Sequence, residues 1–213
     1  MIKNDKEAIA RVLKKYIPEV YIDEVLKLMY SEKVAFRISK PRKTKLGDYR
    51  PPRNNEPHRI SVNGDLNPYA FLITTIHEFA HMTTHVKYGF KVQSHGEEWK
   101  SEFKRLLIPI LEKKELPKEI EQALLRSLNN LKASSCTDLH LFRALKKHDE
   151  IAKEHYLLED LANNAYFRLS NKTFQRGVLR RTRYLCKEVN TGKQYLVNRL
   201  AEVKPLNDSY ERE

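Results

Sequence analysis

The chain of 213 residues is long enough for one sizeable core with a small appendage, and its two cysteines, Cys136 and Cys186, are too few for a disulfide scaffold. Forty basic against twenty-eight acidic residues give a net charge of +12, which points to an anionic partner, nucleic acid ahead of membrane, with a merely solvated basic surface as the alternative. The longest apolar stretch, around AFLITTI, is far short of a membrane span, and the charged N-terminus MIKNDKEAIA has no apolar h-region, so no membrane association and a reducing, cytoplasmic location are expected.

In chain order, residues 5–16 carry Ile9, Val12, Leu13 and Tyr16 at helical spacing, and Pro18 opens a second helix bearing Ile22, Val25, Leu28 and Met29. Val34, Phe36 and Ile38, then Ile60 and Val62, alternate with other residues at strand period. The proline-containing segment between them predicts a short strand inside a long loop. Asn67-Pro68 reads as N-cap and first helical position, and Gly89 as the stop about twenty residues on. Ser94 and Glu97 have capping-box spacing for a further helix with Trp99, Phe103, Leu106, Leu107 and Ile110 on one face, which Pro109 bends or ends. Residues 117–131 form another amphipathic pattern, with Ile120, Leu124, Leu125 and Leu128 on its apolar side. After 164 the texture changes to short strand-like runs separated by Asn-Lys and Asn-Thr-Gly turns, an antiparallel meander. The expected division is a domain over 1–131, a connecting segment over 132–163 that contains the boundary, and a small basic β module over 164–213.

The stretch TTIHEFAHMTTH lies inside the helix that starts at Pro68. Residues four apart stand one turn above the other, so His77 and His81 can aim two imidazoles at one ion, with Glu78 beside them as general base. A catalytic zinc takes three protein ligands, so a third is required. His85 is about 12 Å along the axis from His77 and too distant to share the ion. His95 is the better choice, because Gly89 lets the chain turn and the capping box sets His95 at the start of a packed helix; Glu97, Glu98 and Glu102 stand as fallback ligands. His58, His140, His148 and His155 lack comparable spacing and read as surface or hydrogen-bonded histidines. Thr84 and Lys87 occupy the positions where a metzincin needs glycine and histidine, which excludes that branch.

With its helix ITTIHEFAHMTTH, the fourteen-residue step from His81 to His95 and the block HGEEWKSEF, the sequence resembles the SprT-like family of zinc metalloproteases over about residues 1–112. The resemblance implies an α+β fold: a zincin-like domain of helices packed on a small mixed sheet, binding one zinc ion through His77, His81 and His95, with Glu78 as the catalytic acid/base. Many members carry a C-terminal zinc ribbon built from four cysteines; with two distant cysteines, this chain is expected to keep the ribbon's shape without its metal, held by Tyr184, Leu185, Tyr195, Leu196 and Val197. Family members in animals cleave proteins crosslinked to DNA.

Two segments concentrate the charge. Residues 37–59 have a net charge of +6 and residues 166–206 of +8, leaving the remainder near neutral. Arg180, Arg181 and Arg183, near Tyr184, Tyr166 and Phe174, could form a sheet face that grips phosphates and stacks an unpaired base, or be a solvated basic face. The expected function is that of a zinc metalloendopeptidase, cutting a protein or peptide substrate that is DNA-associated or DNA-crosslinked, with the peptide held along an edge strand at residues 59–63. The rival is a non-proteolytic nucleic-acid-binding protein with a structural or silent zinc site.

Overall fold

The computed structural model describes residues 2–42, 45–53, 55–129, 138–149 and 156–206. The chain forms two compact units, 1–149 and 150–213. The division falls inside the 132–163 stretch but well after 131, because that stretch contains a helix belonging to the first unit.

The first unit opens with α1 (Ile2–Leu13), a 3₁₀ turn over Glu19–Tyr21 and α2 (Ile22–Met29). α1 closes at Leu13 rather than at 16; Tyr16 lies beyond it and packs on Phe71, ring centroids 5.2 Å apart. Three strands follow: β1 (Val34–Ser39), β2 (Gly47–Arg50) and β3 (His58–Asn63). β3 is central, parallel to β1 and antiparallel to β2. Residues 59–63 are therefore not an edge strand. The short strand hidden in the proline-containing loop, β2, takes one edge and packs against α3, and β1 takes the other.

Next comes α3 (Pro68–Tyr88), which begins as its sequence requires: the Asn67 side chain accepts from the Tyr69 and Ala70 amides, and Gly89, at φ 64°, ends the helix. Every side chain from Ala70 to Ala80 is buried. A helix apolar on nearly all sides is a core helix, covered here by the sheet and by α4 (Glu97–Glu112). Its buried hydroxyls turn back onto the helix, Thr75 to the Phe71 carbonyl at 2.8 Å and Thr84 to the Ala80 carbonyl at 2.7 Å.

α4 does not start with a capping box. Its N-cap is Gly96, no side chain caps it, and Ser94 and His95 are spent in a turn closed by the Gly96 amide on the Gln93 carbonyl at 3.0 Å. The chain has to reverse from the end of α3 within a few residues, and that reversal uses the residues the capping box would need. Trp99, Phe103, Leu106, Leu107 and Ile110 are buried, as their spacing predicts, and the helix continues through Pro109 to Glu112. α5 (Lys118–Asn129) buries Ile120 and Leu124 but leaves Leu125 exposed. α6 (Leu139–Lys146) adds Leu141 and Ala144 to the same core and is tied to α3 where the Asn67 amide donates to the Leu145 carbonyl at 2.9 Å.

The second unit is a seven-stranded antiparallel sheet: β4 (Tyr156–Leu157), β5 (Tyr166–Leu169), β6 (Lys172–Gln175), β7 (Leu179–Arg180), β8 (Arg183–Glu188), β9 (Gln194–Asn198) and β10 (Glu202–Pro205). It exceeds a plain meander and the expected ribbon, because β10 returns to pair with both β4 and β5. β6 and β7 lie in succession along β8. At Gly177, between them, a Cβ would stand 2.1 Å from the Leu185 carbonyl oxygen, so only glycine fits. Leu158, Phe167, Phe174, Tyr184, Cys186, Val197 and Val203 form the core. Tyr195 and Leu196, expected to hold this module together, are exposed instead. Cys136 and His155 lie outside the described residues.

Candidate metal centre

One helix and one turn supply the three histidines. His77 and His81 stand one turn apart on α3, and the Gln93–Gly96 turn supplies His95 in the left-handed region, φ 60°, which non-glycine residues seldom occupy. His95 is thus presented by a strained turn and not by a helix. The three Nε2 atoms converge at 3.1 Å (His77 to His81), 3.0 Å (His81 to His95) and 3.1 Å (His95 to His77). A hydrogen of one ring pointed at the common centre cannot serve both neighbours, so the triangle is a poor hydrogen-bond network and a good tripod of lone pairs. Nitrogens about 2.0–2.1 Å from one tetrahedral ion stand about 3.3 Å apart, close to the spacing observed. The three are close enough to share a single metal ion.

Electrostatics favours the same protonation state. Burial, reinforced by the neighbouring imidazoles, pulls His77 down to about 2 and His81 to about 4, and burial lowers His95 as well, so all three are neutral at physiological pH, the form that can bind a metal. Trp99 is the floor of the site, its ring centroid 4.7 Å from His77, 5.3 Å from His81 and 4.7 Å from His95, and it stacks in turn on Phe103. The rings are therefore held in place by packing.

Glu78 is buried beside this tripod. Its carboxylate lies against Gly47 on β2. Burial lifts its carboxyl to about 7, with the charge of Asp48 adding to the rise and Arg42, the Tyr49 amide and Lys45 opposing it. The Tyr49 ring lies parallel to His81 at 6.4 Å, and its hydroxyl hydrogen-bonds His58 Nδ1 at 3.0 Å. β2 thus touches both the acid and a ligand, which nothing in the sequence of a four-residue strand announces. The periodicity that found β1 and β3 is too short there to show register.

Other histidines and acids stay apart from the tripod. His85 packs edge-on against His58 and Phe90, at 6.1 and 4.7 Å. Glu97 pairs with Lys100, and Glu102 is buried between Lys87 and Arg105, so neither fallback carboxylate is in the cluster, nor is Glu98. His148 bonds Glu119 at 3.1 Å. In the second unit, Arg180, Arg181 and Arg183 are exposed on the β7–β8 hairpin, and Arg181 takes a positive φ of 56° at its tip. Phe174 and Tyr184 point into the core, so neither can stack on a base.

Among the described residues, no helix is long and apolar enough to cross a membrane. Residues 17–117 match the profile of the SprT-like family. No curated protein and no solved structure matches the chain.

Proposed function

We propose, from the premise that residues 17–117 are a SprT-like segment, that the first unit is a zinc-dependent metalloendopeptidase of zincin type. The observation that carries this reading is the three-histidine tripod with a buried carboxylate next to it on the same helix. A structural site has no use for that acid. His77, His81 and His95 would hold the ion, which supplies a Lewis acid for the scissile carbonyl and the attacking water.

The chain's own residues do the rest. Glu78 takes a proton from the water and delivers it to the leaving amine, a task suited to a carboxyl whose burial has raised it toward neutrality. Trp99 and Phe103 keep the ligand rings from turning. β2 offers the outward backbone of Gly47 and the Tyr49 carbonyl on its open edge to an extended peptide, which favours flexible or unfolded segments as substrate.

The basic β7–β8 hairpin supports nucleic acid as a second ligand of the same chain, and so DNA-associated proteins as substrates, with phosphate contact and not base stacking as the mode. Glu78→Gln tests the central claim. The variant keeps one zinc per chain by elemental analysis and loses at least about a thousandfold in cleavage of an unfolded protein. Undiminished cleavage would remove Glu78 from the reaction and return the chain to the reading of a nucleic-acid-binding protein with a silent metal site.

A further inference from the structure

Glu78 has its place because a side chain is missing opposite it. In the antiparallel pair of β2 and β3 the Asn63 amide donates to the Leu46 carbonyl at 2.9 Å, and the register sets Asp48 against Ser61 and Arg50 against Arg59. Alternation then turns the backbone groups of Asp48 and Arg50 inward to β3, and those of Gly47 and Tyr49 outward to the open edge. The Tyr49 amide thus faces the open side, where it favours the charged form of Glu78.

A Cβ built on Gly47 would stand 2.3 Å from Glu78 Oε1, 2.7 Å from Cγ and 2.8 Å from Cδ. The clash reaches the stem of the side chain as well as its end, so a small rotation of the carboxylate does not relieve it. Conformational freedom is not the reason for this glycine, since its φ is not positive, unlike those of Gly89 and Gly192. It is there for space.

We propose that Gly47 is the positioning residue for Glu78: the absent side chain forms the slot in which the carboxylate lies, and the Tyr49 amide latches it there. Any side chain at 47 expels the carboxylate from the slot and breaks the latch, while the histidine tripod, which β2 does not supply, remains. The geometry stands on its own; only its effect on turnover rests on the peptidase reading.

The test is amide hydrogen exchange on the full-length, metal-free chain. Tyr49 sits on the open side of an edge strand, so its protection comes from Glu78. Gly47→Ala and Glu78→Ala each speed Tyr49 exchange at least about tenfold and leave the inward amides of Asp48 and Arg50 slow. Glu78→Ala breaks the latch without adding an atom to β2, which guards against a Gly47→Ala chain that folds poorly. In the zinc-loaded protein, Gly47→Ala keeps its zinc and its KM and loses about a hundredfold in kcat, as expected of a displaced catalytic group. A Tyr49 amide still protected in Gly47→Ala, or an unchanged kcat, overturns the proposal. If the parent chain cleaves no peptide, the peptidase reading fails, and the exchange experiment decides the role of Gly47 alone.

Discussion

At the scale of single residues, the site is a set of ionisable groups moved from their ordinary values by burial, and this makes the metal-free chain sensitive to pH. The folded histidines are depressed below 6.5, so between their folded values and 6.5 the unfolded chain holds more protons, and acidification through that window removes stability. Glu78 works in the opposite sense: its folded value, about 7, exceeds 4.5, so its share of stability is present at low pH and fades as pH rises through 7. Three histidines outweigh one acid below 6.5. The thermal midpoint of the chelated protein should therefore fall steeply from about pH 7 toward pH 4 and stay nearly level between pH 7 and 8, where the two effects offset each other; a midpoint that climbs on acidification would contradict the burial of the tripod. His77, Glu78 and His81 were legible in the sequence because a four-residue step on a helix is a geometric statement. His95 was legible as the third member of the cluster but not in its conformation, since spacing does not show that a turn will consume Ser94. Gly47 and Tyr49 were not legible at all, because their contacts depend on strand register.

At the scale of elements, α3 carries the site and Asn67 shows how it is anchored. That side chain caps the helix with its oxygen while its nitrogen donates to the Leu145 carbonyl and to Asp149 Oδ1, tying α6 to α3. Aspartate caps helices as well as asparagine does, yet Asn67→Asp should cost about 1–3 kcal/mol, since it donates nothing to Leu145 and sets a second carboxylate against Asp149. Urea denaturation of the two chains measures the difference, and equal midpoints would mean that the cap alone matters. The cap itself, the Pro68 start and the Gly89 stop were readable because each is a local rule. The tie to α6 was not, because its partners lie some eighty residues away in a stretch whose composition resembles a linker.

At the scale of the whole molecule, a near-neutral remainder sits beside two basic segments, one of which forms a hairpin that presents three arginines to solvent. Replacing Arg180, Arg181 and Arg183 by serine in the full chain should weaken DNA binding and reduce the steepness of its dependence on salt by about 2 to 3 in the log–log slope, roughly one counterion per arginine. An unchanged slope would make the hairpin a solvated surface. A change of texture near 164 announced the β unit, which begins earlier, at 150, whereas Phe174 and Tyr184, two of the three aromatic residues read as a stacking face, proved to be core, because alternation tells which residues share a face and not which face is wet. One further property belongs to the chain as a whole: it has a single tryptophan, Trp99, and that ring touches all three histidines of the cluster. When the chain is excited at the long-wavelength edge that tyrosine does not absorb, its ultraviolet emission therefore comes from one address. Cobalt entering the tripod should dim that light in step with occupancy, and His95→Ala should leave it bright, so the molecule carries its own gauge of loading without any label.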